Sequence, residues 1–135
     1  MEIVKAAIAA GLVLAVLDGL WLGLVARGWL ARQLGGRLRQ PIYWPAGIAF
    51  YLIYSAGLGF FAVTPAMTAG GDVLSALGLG ALLGLVAYGT YDLTNLATLK
   101  DWPRTFAMVD LVWGAAVSAA SAAGAVLILK MSGLG

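Results

Sequence analysis

Four long apolar runs, separated by short polar breaks, make up almost the whole chain. They cover approximately residues 3–26, 42–64, 73–99 and 105–129. Each is long enough for the roughly 20 helical residues that cross about 30 Å of hydrocarbon. None alternates with a period of two, and backbone polar groups must be satisfied internally in lipid. The pattern therefore predicts four transmembrane helices. The breaks read GGRLRQP, TPAMTAGGD and KDWPR, and Pro103 is expected in the first turn of the fourth helix. The first run is too long for a signal peptide, is interrupted by Asp18 and is followed by no convincing cleavage site, so it is expected to be retained. The fold class expected is all-α: a polytopic four-helix membrane bundle, forming one domain over residues 1–135.

Composition agrees. Hydrophobic residues make up 62% of the chain and charged residues 10%, against about 25% charged in an ordinary soluble domain. There is too little polar surface to cover a water-soluble globule. Cysteine and histidine are both absent, so thiolate chemistry and imidazole bases are excluded and no haem or zinc is expected. A net charge of +2 gives no reason to expect nucleic acid as a partner. Arg27, Arg32, Arg37, Arg39, Lys100 and Arg104 fall in or beside the first and third breaks, leaving Lys5 and Lys130 for the opposite side. The positive-inside rule then puts those two breaks in the cytoplasm and both termini outside it. The loop arginines are read as topology and headgroup contacts, with anionic-lipid or phosphate binding as the alternative.

The polar residues within the runs share one depth. Asp18 stands eight residues before the end of the first run, Asp92 seven before the end of the third, and Asp110 is close to the start of the fourth. Tyr51 and Tyr54 enter the second run from the same side. At about 1.5 Å per residue, all fall roughly 9–18 Å below that surface. Tyr88, Asp92 and Asn95 share a helix face, below Gly80 and Gly84. Ala7, Gly11, Ala15, Gly19 and Gly23 form a small-residue ridge at spacing four, and Gly114, Ser118 and Ser121 suit close contact on the fourth helix. Trp21 and Trp113 each follow an aspartate by three residues, as core-edge packing or as walls of a pocket; Tyr91 adds another ring.

An ionised Asp at mid-bilayer costs about 2.5–3.5 kcal/mol, and no Lys, Arg or His shares the layer. Arg27 and Arg104 come nearest and can bend inward. Otherwise a carboxyl is protonated, satisfied by hydroxyl, amide and indole donors, or bound to a cation. A purely structural hydrogen-bond network is one outcome. A functional site is the other, with Asp92, Asp18 and Asp110 as candidate acid–base residues, Asp92 with Asn95 as its central pair and Asp18 and Asp110 facing it. A divalent cation on the three aspartates is a minor alternative, because no paired-carboxylate motif sits on one helix.

The strings PAGIAFYLIYSAGLGFFAVTPAM, GALLGLVAYGTYDLTNLATLKDWP and VDLVWG, with LDGLWLG in the first run, resemble an uncharacterised family of small four-helix bacterial inner-membrane proteins. The resemblance implies a multi-pass protein of that membrane and supplies no reaction or ligand. Three functions follow from the residues. The first is binding, with or without modification, of a lipid-like or isoprenoid-like apolar molecule at Asp18, Trp21, Tyr51, Tyr54, Tyr88, Tyr91, Asp92, Asn95, Asp110 and Trp113. The second is a proton- or cation-coupled carrier acting as a homodimer. The third is a non-catalytic subunit of a larger membrane complex. Membrane lipids are partners in every case.

Overall fold

The computed structural model describes residues 2–39 and 41–133; Met1, Gln40, Leu134 and Gly135, which the single-domain reading includes, are outside the described residues. Helix α1 (Glu2–Leu20) continues through a π turn (Trp21–Val25) and is followed by a short helix α2 (Arg27–Leu34) and a 3₁₀ turn (Gly35–Arg37). Helix α3 (Trp44–Leu58), a second π turn (Gly59–Val63) and α4 (Thr64–Thr68) form one continuous rod. Helices α5 (Val73–Thr98) and α6 (Arg104–Ser132) complete the chain, and no strand occurs among the described residues. Four spans, Ile3–Val25, Trp44–Thr68, Val73–Thr98 and Arg104–Ser132, are long and apolar enough to cross a membrane.

Two boundaries differ from the sequence pattern for local reasons. The second span runs past Pro65 to Thr68 instead of stopping at 64. A proline in a helix cannot donate to the carbonyl four residues back and crowds it. The π turn just before Pro65, closed by the Thr64 amide on the Gly59 carbonyl, opens the helix enough to absorb that conflict. The stretch between the first two runs, residues 27–41, is expected to be loop, yet its first half folds into α2, which ends at Gly35 with a φ of 53°.

Close backbone approach holds the spans together, as expected where lipid removes the hydrophobic drive between helices. A Cβ on Gly84 would lie 2.3 Å from the Gly114 carbonyl oxygen, and one on Gly80 would lie 2.6 Å from that of Ser118. Spans three and four therefore pack backbone to backbone. Gly59 meets the Ala7 backbone in the same way, and Gly11 meets Ser55, which joins spans one and two. The ridge on the first helix is used only in part: Ala7 and Gly11 serve, whereas Ala15, Gly19 and Gly23 face outward with open space beside both glycines. The buried row is Ala6, Ala10, Leu14 and Asp18, at the same spacing of four but one position earlier. The ridge therefore lies about 100° round the helix from that row, at its edge, and is covered only where Gly59 and Ser55 of the second span reach it.

At the end of the bundle that carries the termini, Asp72 caps α5 by accepting from the Leu74 amide and the Ser75 hydroxyl. The Ser75 hydroxyl, helped by backbone amides and Lys130, holds the Asp72 carboxyl below its usual range. Lys130 Nζ donates to the Gly71 carbonyl at 3.1 Å, tying spans three and four at this end. The second span meets the third chiefly through Gly59–Thr68. Toward Trp44 the two separate, and a cleft opens between them.

Candidate functional site

The separation of α3 from α5 sets where the polar residues meet. Asp18 stands seven residues before the end of its span, Asp92 six before Thr98, and Asp110 six after Arg104. All three therefore lie roughly 9–11 Å from the ends of their helices on one side. Asp18 is 7% exposed and is the node of the first cluster: it accepts from the Tyr51 hydroxyl and, at 3.1 Å, from Trp113 Nε1. One carboxyl thus fastens spans one, two and four. The Trp113 ring stacks on Trp21, with centroids 4.6 Å apart and planes 14° from parallel. Packing and hydrogen bonding are therefore combined in one indole, where the sequence offered them as alternatives.

Tyr54 is buried and hydrogen-bonded to Ser118 Oγ at 2.5 Å, Phe50 stacks on it at 5.3 Å, and Tyr88 meets it edge-on at 6.1 Å. Tyr88 lies over Gly114, where any Cβ would overlap its ring. It is also within electrostatic reach of Asp18, Asp110 and Tyr51. Tyr91 is 49% exposed and meets Trp102 edge-on at 6.0 Å.

Asp92 is different. Its side chain is 0% exposed, and no N–H or hydroxyl donates to either carboxyl oxygen. The Asp110 carboxyl reaches it from the facing helix, and the two can bond only by sharing a proton. Asn95, the partner expected for Asp92, is half-buried and makes no side-chain hydrogen bond among the described residues. The centre of the acidic layer is therefore Asp92 with Asp110, because the tight packing of Gly80 and Gly84 on α6 turns the Asp92 face toward the fourth span. Neither Arg27 nor Arg104 bends inward to pair with these carboxyls; both are exposed. Among the described residues, no group of three acidic side chains is arranged to hold a metal ion.

Two cavities meet at Asp110. One, of about 400 Å³, is the cleft between spans two and three, lined by Phe50, Ala87, Tyr88, Tyr91 and Asp110. Phe50 and Tyr91 form its half-exposed rim on the hydrocarbon side. The other, of about 280 Å³, shares Tyr88, Tyr91 and Asp110 and adds Asp18, Trp21 and Trp113. Helix α2 roofs it with Trp29, Leu30 and Leu34, and Trp29 rests against Phe106 at 5.9 Å. Arg37 Nη2 donates to the Asp101 carbonyl at 2.6 Å, fastening the end of the roof to the loop between spans three and four. Arg39 lies over the Tyr43 ring. These two arginines thus have structural partners in the loops.

Phe50, Ala87 and the α2 roof were missed in the sequence. Phe50 and Ala87 each precede a singled-out tyrosine by four residues, Tyr54 and Tyr91, and so share its helix face; that signal was legible. Trp29 and Leu34 were hidden because their segment reads as a break.

Replacing Asp92 with Asn is expected to raise stability by about 1 kcal/mol, because the amide donates to Asp110 without either carboxyl having to take up a proton. A thermal unfolding midpoint in detergent reads this directly. A lower midpoint would mean that Asp92 is a structural node with a donor beyond Asp110.

Residues 3–127 match the family described as "Predicted membrane protein (DUF2177)", and the chain belongs to it. The protein is accordingly an integral membrane protein of a family whose function is not established. No curated protein matches the chain, and no solved structure does.

Proposed function

We propose that the protein binds a lipid-like or isoprenoid-like apolar molecule in the cleft between its second and third spans, polar end toward Asp110. One observation carries this reading: a carboxyl lines an aromatic-walled cleft of about 400 Å³ that opens sideways between helices. That volume is within the range of small-molecule sites, and apolar walls with a few convergent polar groups are what such sites require. The donor-less Asp92 behind Asp110 adds support, since intramembrane acids lacking a structural partner are retained at a cost that packing alone would not favour. The second cavity, under α2, extends the same chamber toward the basic loops.

Ala87→Phe fills the cleft without changing any charge. Mass spectrometry of gently extracted wild-type protein should then show a bound apolar mass that is reduced at least about tenfold in the variant. Equal occupancy in the two, or none in either, would end the proposal.

The adjacency of Asp92 and Asp110 favours one rival, a proton- or cation-coupled carrier. Coupled uptake into proteoliposomes that disappears in Asp110→Asn would select it.

We further infer that the membrane is the bacterial inner membrane, with both termini outside the cytoplasm. The support is the placement of Arg27, Arg32, Arg37, Arg39, Lys100 and Arg104 on one side of the bundle. Reporters fused to the C-terminus should be active only outside the cytoplasm, and activity inside would reverse the assignment.

A further inference from the structure

The donors and acceptors around the two cavities do not balance, and the imbalance names the kind of head group that fits. Asp18 is satisfied by Tyr51 and Trp113, and the Tyr54 hydroxyl by Ser118. Those donors are engaged. Asp110 and the wholly buried Asp92 remain, two carboxyls with no donor between them except a shared proton. Against them stand the Tyr88 and Tyr91 hydroxyls, which donate one hydrogen each and also accept, and the single indole N–H groups of Trp21 and Trp29 in the second cavity, all of them neutral. Among the described residues lining either cavity there is no Lys or Arg.

Resting on the reading of the cleft as an apolar-ligand site, we propose that its ligand is an amine-headed amphiphile, the cationic head held by Asp110. An amine supplies the hydrogens that the carboxyls lack, and its charge neutralises theirs. The faces of Phe50, Tyr88 and Tyr91 suit an ammonium further. A phosphate or carboxylate head meets the reverse: acidic groups at close range and no cation to offset them. The basic residues stay at the membrane surface, where Arg37 and Arg39 are held by Asp101 and Tyr43. Entry sideways past Phe50 and Tyr91 keeps an amine clear of that basic rim.

The test uses the full-length protein in non-ionic maltoside micelles and three probes sharing one alkyl tail: a primary amine, an alcohol and a phosphate monoester. Binding is read from bound mass and from the intrinsic fluorescence of the five tryptophans, of which Trp21, Trp29 and Trp113 line the second cavity. The amine should bind saturably and roughly tenfold to a hundredfold more tightly than either other probe. Asp110→Asn should bring the amine down to the level of the alcohol, while Asp110→Glu keeps the preference. Equal binding of amine and alcohol, tighter binding of the phosphate, or a preference that survives Asp110→Asn overturns the amine assignment while leaving the cleft as a ligand site. Absence of saturable binding by all three overturns both. Should Asp110→Asn not fold, the ranking of the three probes on wild-type protein still decides.

Discussion

Gly84→Leu should leave almost no correctly folded protein, whereas Gly78→Leu, six residues away on the same helix, should be nearly silent. The two glycines look alike in sequence and differ in what surrounds them. A Cβ at position 84 would sit 2.3 Å from the Gly114 carbonyl and 2.6 Å from Ser118 Oγ, while one at position 78 meets nothing within 4 Å. The Gly114 carbonyl belongs to helix backbone and cannot step aside. Relief requires spans three and four to move apart, and with them the Gly80 contact and the Tyr88–Gly114 overlap that positions the site. Overpacking of this kind costs about 3 kcal/mol or more, a large share of the roughly 5–15 kcal/mol that stabilises a typical folded protein. Refolding yield and unfolding midpoint in mixed micelles measure the difference. Equal behaviour of the two variants would show that the third and fourth spans do not touch where described.

Asp18→Ala should be the most damaging of the acidic substitutions, at about 3 kcal/mol. It leaves the Tyr51 hydroxyl and Trp113 Nε1 without an acceptor, in a site only 7% exposed. A stranded buried donor costs about 1–3 kcal/mol, although pairs in membranes often measure nearer 0.6. The loss also frees the Trp21–Trp113 stack, which rests on the same indole. Asp18→Asn keeps one acceptor oxygen and should lose less than half as much. Taken with the expected gain in Asp92→Asn, this gives opposite signs for two aspartates at one depth. Denaturant midpoints for the three variants check it, and three equal losses would make the whole layer a structural network.

The four spans were legible because lipid leaves the backbone few choices: long apolar runs without alternation must be helices. The common depth of Asp18, Asp92 and Asp110 was legible for the same reason, since rise per residue converts sequence position into depth. Rotation about the helix was less so. The sequence pairs Asp92 with Asn95 and sets Asp18 and Asp110 facing them; the glycine contacts on α6 fix the rotation of α5 so that Asp110 does face Asp92, while Asn95 makes no side-chain hydrogen bond among the described residues. The small ridge on α1 likewise does not extend to Ala15, Gly19 and Gly23, because the buried row of Ala6, Ala10, Leu14 and Asp18 lies one residue, about 100°, round the helix. Helix α2 was read as loop, its Gly35–Gly36 pair and charges outweighing the apolar Trp29, Leu30 and Leu34 that roof the inner cavity. The π turn before Pro65 shows the converse: a proline that marks a helix end in water was absorbed inside a span.

A structure determined in lipid nanodiscs from protein extracted with its native lipids would show what fills the cleft. A ligand site there requires elongated density between Phe50 and Tyr91, ending within hydrogen-bond distance of Asp110. A cleft closed by Phe50 against α5, or Asp110 turned outward to pair with Arg104, would contradict it.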